Sequence, residues 1–249
     1  MIVLSVVSHG QGQLVSQLLQ DLRTHCRMTG LRVILTLNIE ENLPFNAVDF
    51  PFDIQIIGNV ERQGFAANHN AAFKQARGEY FCVTNPDIRL SEDPFPTLIS
   101  ALADPGIGVA GPLVMGSGGQ IEDSARRFPT PLSIAGKVFF RTHKPDYEIS
   151  DVSIYPDWIA GMFMLWRMTA FREVGGFDER YFLYYEDADV CSRLPAAGYR
   201  VVLVPGARVT HHAQRASHRS PQYLRWHLSS MLRFFWKRFV GGRGVQLKY

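Results

Sequence analysis

The feature that most constrains this chain is an alternation, through its first half, between short continuous apolar runs and stretches with helical spacing. Residues 2–7, 33–37, 54–57 and 80–84 are short runs rich in Val, Ile, Leu and Phe, while residues 13–22 keep their apolar side chains on one helical face and residues 65–75 are an Ala-rich helical stretch. Strands too apolar to face water on either side, separated by helices, are the pattern of βαβ units around a sheet covered on both faces. Asp93 before Pro94 is a cap and first-turn signal for a helix reaching about residue 103, and residues 109–114 read as a further strand. The expected class is α/β. The second half is less regular. Residues 116–157, rich in Gly, Pro and polar groups, read as loops around short elements, and residues 158–166 are strongly apolar. A short helix over 168–174 stops at Gly175-Gly176, a helix over 186–197 is shortened or kinked by Pro195, and 200–204 and 208–212 are two short extended pieces. There is no internal repeat of solenoid or propeller period.

Composition sets the scale of the core. With 249 residues, 46% hydrophobic and 20% charged, the chain is long enough to bury a core without disulfides or a structural metal. Cys26, Cys82 and Cys191 are odd in number and far apart, with no CxxC pair, so neither a disulfide framework nor a thiolate zinc site is expected. The apolar start, MIVLSVV, has no basic residues before it and ends at Ser8-His9-Gly10, so neither a signal peptide nor a membrane span is expected. The net charge of +3 hides an asymmetry: all 23 Asp and Glu lie at or before Asp189, with 15 Lys and Arg, whereas residues 190–249 carry 11 Lys and Arg and no acid. An acidic body joined to a basic C-terminal quarter points to an anionic ligand or surface near that end.

Four constellations carry chemistry. Thr84-Asn85-Pro86-Asp87 follows an apolar strand, and in a parallel sheet ligands bind beyond the carboxyl ends of strands, so Asp87 is a candidate ligand for a hard cation with diphosphate oxygens; a strand-capping Asx-Pro turn is the alternative. Glu186-Asp187-Ala188-Asp189 opens a helix after the aromatic run Tyr181 to Tyr185; helix-dipole capping explains acids there, but an apolar wall also raises a carboxylate pKa towards that of a useful base. His211-His212 closes a short extended segment before Arg215, His218 and Arg219; imidazole beside carboxylate suits manganese and similar ions, and a surface pair is the plainer reading. Arg62-Gln63-Gly64 through Asn70 starts a helix where backbone N–H groups and Asn amides can approach a nucleotide, although neither GxGxxG nor GxxxxGK[ST] is present.

In this order and spacing the pieces resemble family 2 glycosyltransferases of the GT-A fold, and within them the bacterial rhamnosyltransferase-like group. The motifs that carry the resemblance are SVVSHGQ (5–11), RQGFAANHN (62–70), TNPD (84–87), DSARRFPTP (123–131), GMFMLWR (161–167), GGFDERYFLYYEDADVCSR (175–193), GYRVVLVPGARVTHH (198–212) and SHRSPQYLRWHLSSMLRFFWK (217–237). The resemblance implies a Rossmann-like mixed sheet flanked by helices and an inverting transfer of a sugar, with L-rhamnose from dTDP-L-rhamnose favoured, to a saccharide or polyprenyl-diphosphate-linked acceptor in cell-surface polysaccharide synthesis. By the same resemblance Asp187 is the base and Glu186 orients the acceptor beside Trp158, while Asp87 and His211 hold Mn²⁺ or Mg²⁺. Ser8, Asn38, Glu40, Arg62, Gly64, Asn68, Asn85 and Arg215 face the nucleotide sugar. Asn85 stands where the family often has Asp, so the metal relies on the diphosphate for part of its coordination, or Arg215 and Arg219 clamp the diphosphate instead. A catalytically weak sugar-nucleotide binding protein remains an alternative. A nucleotidyltransferase is a further one, but it needs a basic triphosphate loop, and SHGQGQL has no Lys or Arg.

Residues 222–239 read as one amphipathic helix with an apolar stripe of Leu224, Leu228, Met231, Leu232, Phe235 and Phe239, and with Arg233 and Lys237 roughly opposite. The stripe suits either an anionic membrane or packing on the enzyme body or a second subunit, which leaves a homodimer open. Its Trp and Phe mostly share a face with aliphatics, which suits lipid or core better than nucleic acid. The expected organisation is a GT-A domain over residues 1–220 and a basic helix and tail over 221–249, located in the cytoplasm or peripherally on the inner face of the cytoplasmic membrane.

Overall fold

The computed structural model describes residues 1–27, 30–140, 145–212 and 221–241. Strands β1 (Ile2–Ser8), β2 (Leu31–Leu37), β3 (Asp53–Gly58) and β4 (Tyr80–Thr84) alternate with helices α1 (Gly12–His25) and α2 (Phe65–Gln75), and they pair in parallel in the order β3-β2-β1-β4. This is the expected βαβ frame, with α2 and β4 at the limits the pattern gives. β5 (Ile88–Arg89), α3 (Phe95–Ala101), β6 (Ile107–Gly116), β7 (Ala125–Arg126), α4 (Pro131–Phe140), β8 (Trp158–Ile159), β9 (Phe163–Arg167), α5 (Met168–Glu173), α6 (Glu186–Arg193), β10 (Arg200–His211) and α7 (Pro221–Gly241) follow.

The sheet is mixed. β9 inserts antiparallel between β4 and β6, β10 runs parallel to β6, and β5 closes the edge antiparallel to β10, giving the order β3-β2-β1-β4-β9-β6-β10-β5. One apolar layer lies on the face covered by α1 and α3, around Leu18, Leu22, Phe95 and Leu98, and another lies on the opposite face with α2, α5 and α6, around Phe81, Trp166, Phe171 and Val190. Burial of the strands on both faces is why they read as continuous apolar runs. Among the described residues no helix is long and apolar enough to cross a membrane.

Two expectations are corrected, and one stretch that the sequence left unassigned is resolved. The stretch 116–157 holds the ten-residue helix α4, which its Gly, Pro and polar content masks. The apolar run 158–166 is two strands, because residues 160–162 leave the ladder to reach the site described below. The two extended pieces near the C-terminal side are one strand: β10 runs through Pro205 and Gly206 with a register shift between Val204 and Arg208, since a bulge absorbs the residue that cannot donate to the ladder. Pro195 ends α6 as expected, and a short 3-10 turn at Pro195–Ala197 follows.

Candidate active site

The parallel strands β1, β2 and β4 end side by side, so Ser8, Asn38 and Asn85 arrive at one rim of the sheet. Two cavities that share Asn38 and Arg62 open there. One, of about 550 Å³, is lined by His9, Asn68, Asn85 and Asp87 and, from the second half of the chain, by Phe182, Leu183, Tyr184 and Tyr223. The other, of about 520 Å³, is lined by Glu40, Glu41 and Asn59.

The polar groups of this rim first hold one another. Asn38 donates to the Gln63 carbonyl and accepts from Gln63 N–H and from Asn59, which also donates to Asn68 Oδ1 at 2.7 Å. These amides fix the 59–63 loop and thereby Arg62, whose guanidinium lies 5.6 Å from the Phe182 ring and 5.1 Å from Trp226. Ser8 is buried and its hydroxyl accepts Gln11 N–H, so it shapes the turn after β1 rather than lining either cavity. Gly64 is a contact between chain segments: a Cβ there would stand 2.6 Å from the Phe182 carbonyl oxygen, which accepts Phe65 N–H at 2.9 Å. Arg215 lies outside the described residues.

Asp87 and His211 meet through backbone pairing. β5 lies against the end of β10 with His211 opposite Ile88, and His212 N–H donates to the Asp87 carbonyl. His211 Nε2 is 3.3 Å from Asp87 Oδ2, and Nδ1 is 2.8 Å from Glu122 Oε2. Burial pulls the imidazole pKa down, but hydrogen bonds to Asp87 and Glu122 outweigh it and raise the value to about 9. Glu122 was not anticipated; it sits one residue before the recognised DSARRFPTP motif, and a ligand histidine's need for a carboxylate on its other nitrogen is the signal that could have found it. Among the described residues no group of three or more His, Cys, Asp or Glu is arranged to hold a metal alone. The residues present nevertheless fit a divalent ion shared with a ligand: Asp87 Oδ1 is buried with no hydrogen-bond partner, Oδ2 faces the imidazole, and Glu122 fixes the ring.

The acid pair sits at the start of α6, and its entry is strained. Tyr184 and Tyr185 both have left-handed backbones, with φ of 71° and 68°, a conformation that costs about 1–3 kcal/mol per non-Gly residue and persists only when its surroundings impose it. Here α7 imposes it: the His227 ring lies 5.4 Å from both tyrosine rings and Phe234 lies 5.6 Å from Tyr185. Asp187 accepts Gly161 N–H at 3.0 Å and Ala188 N–H at 2.8 Å. Burial raises its pKa, and those two bonds offset only part of the rise. Glu186 is driven well above the carboxylate range by burial and then by the charge of Asp187; its Oε2 is buried without a partner. Burial thus pushes both carboxyls up, Glu186 further than Asp187. Trp158, expected beside the acceptor, packs with Tyr181, Ala188 and Phe234, and Arg126 lies 5.4 Å over its ring.

Residues 160–162 join the two halves of the site. Gly161 donates to Asp187, and the next carbonyl, that of Met162, accepts Asn85 N–H at 3.0 Å. Gly161 also lies against Phe65, which lines the larger cavity. The acid pair and the Asn85–Asp87 turn are thus held to adjacent residues of one segment.

The family model for glycosyl transferase family 2 matches residues 39–168, and that for the N-terminal domain of galactosyltransferase matches residues 147–219. The chain is 34% identical over 182 residues to an N-acetylglucosaminyl-diphospho-decaprenol L-rhamnosyltransferase of Mycobacterium tuberculosis, a match covering 69% of this chain and 59% of that protein. It is 30% identical to the rhamnosyltransferase WbbL of Escherichia coli K12 over 96% of this chain and 94% of that one. Among solved structures it superposes on the mannosyltransferase PcManGT from Pyrobaculum calidifontis, in complex with GDP-Man and Mn²⁺, with a TM-score of 0.64 and 16% identity, covering 93% of this chain and 64% of that one.

Proposed function

The chain belongs to glycosyl transferase family 2, and from that premise we propose that it transfers an L-rhamnosyl residue, with inversion at the anomeric carbon, from dTDP-L-rhamnose to a saccharide hydroxyl on a polyprenyl-diphosphate carrier in cell-surface polysaccharide assembly. The rhamnosyltransferase relatives described above, one of them named for a lipid-diphosphate acceptor, support the choice of sugar and carrier. The observation that carries the reading is the 161–162 segment, which ties the Asp187 carboxylate and the Asn85–Asp87 turn to neighbouring residues. A base and a diphosphate-binding edge that close together are what displacement at an anomeric carbon needs.

In this reading Asp187 accepts the proton of the acceptor hydroxyl as that oxygen attacks the anomeric carbon from the face opposite the leaving diphosphate. Its N–H donors favour the ionised form, and burial, the larger effect, raises its basicity. Glu186, buried beside Asp187 with its pKa raised further, acts on the acceptor through its neighbour. Trp158 and Arg126 form the acceptor side. Arg62, which lines both cavities, serves the diphosphate, Arg215 is assigned to the nucleotide sugar from the sequence alone, and Asn38, Glu40, Asn68 and Asn85 line the nucleotide end, with Gly64 and Ser8 acting through the backbone around it. Asp87 and His211 would hold Mn²⁺ or Mg²⁺, which when bound supplies positive charge against the leaving diphosphate.

The test is Asp187→Asn assayed with dTDP-L-rhamnose and a lipid-diphosphate N-acetylglucosamine acceptor. General-base loss lowers turnover by about 10²- to 10⁴-fold while donor binding, read by calorimetry, is retained. Normal turnover by this variant overturns the assignment of the base, and transfer from UDP-sugars in preference to dTDP-L-rhamnose overturns that of the donor.

A further inference from the structure

The C-terminal helix α7 has an inward face of mixed aromatic and polar side chains that packs on the body, and an apolar face that is largely exposed. Its inward face carries Tyr223, Trp226, Ser230, Phe234 and Lys237. Trp226 stacks on Phe182 at 4.6 Å, the Ser230 hydroxyl donates to the Leu183 carbonyl, Phe234 is buried with Tyr181, and Lys237 donates to Asp178 and Asp189. At about 100° per residue these positions fall within about 80° of arc. The apolar residues Leu224, Leu228, Leu232, Trp236 and Phe239 span about 120° centred on the opposite side. Each of these five side chains is between 44% and 70% exposed. The stripe anticipated from sequence is therefore largely exposed, with Phe235 the member that packs with Tyr181 and Phe234, and most of the contact with the body is made from the other side of the helix.

We propose that this outward face of α7 lies in the headgroup region of an anionic lipid bilayer and seats the enzyme there. Charge selects that occupant. Arg225 stands within the exposed face and Arg238 at its edge, where its guanidinium also reaches the Phe128 ring, and the chain has no acid after Asp189. A second copy of the helix would set arginine against arginine with no carboxylate on α7 to relieve it, whereas anionic headgroups complement the row and the Leu, Trp and Phe side chains enter the acyl boundary. The helix lies on the surface rather than crossing it, because it is not apolar enough to span. Its inward face holds the loop before Asp187, so the same helix orients the acid pair with respect to the bilayer. Docking rests on this geometry alone; delivery of a lipid-linked acceptor to Asp187 rests on the proposed function.

The test is co-sedimentation of the full chain with vesicles of phosphatidylglycerol and phosphatidylcholine, against phosphatidylcholine alone, at low and high salt, with no sugar or nucleotide present. The wild-type chain is expected to sediment with the anionic vesicles, less so in high salt. Leu228→Glu/Leu232→Glu, with thermal unfolding unchanged, is expected to bind about tenfold or more weakly. Because a doubly charged helix can fail to fold, Trp236 supplies a second measurement: brominated anionic lipid quenches the wild-type fluorescence and does not quench the additional emission that distinguishes it from Trp236→Phe if the face stays in water. Absence of binding to anionic vesicles, equal binding by the folded double variant, or no Trp236-dependent quenching overturns the proposal. So does a dimer in sedimentation velocity that the double variant dissolves while vesicles are ignored. Failure of rhamnosyl transfer leaves every one of these readings unchanged.

Discussion

Asp187 and Glu186 are adjacent carboxylates in one environment, and backbone donors separate them. Asp187 reaches the N–H groups of Gly161 and Ala188, while Glu186 Oε2 reaches none, so burial raises the Glu186 pKa further than that of Asp187. A base must be ionised to work, and the pKa of Asp187 is raised by burial. The acid limb of the kcat/KM–pH profile should accordingly lie above the value of about 3.9 usual for a free aspartate. A profile flat down to that value would remove Asp187 from the role. Sequence showed these acids and the aromatic run before them. It did not show that Tyr184 and Tyr185 are left-handed, because nothing in a non-glycine pair signals that conformation until the ring of His227 is in place against both.

At the scale of elements, the joint between α7 and α6 is electrostatic as well as apolar. Lys237 bridges Asp178 and Asp189; Asp189 also pairs with Arg193, and Asp178 with Arg180. Burial alone would raise the Asp178 pKa, yet bonds from Arg180 and Lys237 hold its carboxyl well below the carboxylate range. A depressed pKa gives stability that is complete above the unfolded value of about 3.9 and is lost as pH falls through the lower folded value. Lys237→Met should then lower stability at neutral pH by about 1–3 kcal/mol, read by urea unfolding, and the difference from wild type should shrink in acid. An equal difference at all pH values would assign the loss to packing. The helix itself was legible as residues 222–239 against the observed Pro221–Gly241. Its docking face was not, since periodicity marks an apolar stripe without saying what lies opposite, and the inward face is half polar: Ser230 and Lys237 are there because Leu183, Asp178 and Asp189 are.

Over the whole molecule, the Asp87–His211–Glu122 group is assembled from three distant segments by the sheet: β5 against β10 brings Asp87 to His211, and the return of the chain after β6, where Glu122 N–H donates to the Val114 carbonyl, brings Glu122 to the other side of the imidazole. If Glu122 orients the ring for a metal, Glu122→Ala should weaken Mn²⁺ about 10- to 100-fold, measured as the Mn²⁺ concentration that raises the melting temperature in the presence of donor. Unchanged Mn²⁺ dependence would make Glu122 a purely structural partner. Sequence by itself determined the βαβ frame, the strand-end position of Asn85 and Asp87, and the acid pair at a helix start, because burial on both faces, helix spacing and capping are local patterns. Only the tertiary structure decided that β9 enters the sheet antiparallel, that residues 160–162 tie Asn85 to Asp187, that Glu122 stands behind His211, and that α7 turns its less apolar face inward. Each of these is a pairing between segments far apart in the chain, and such pairings are chosen by which hydrogen bonds and surfaces the assembled sheet leaves open, which no single segment records.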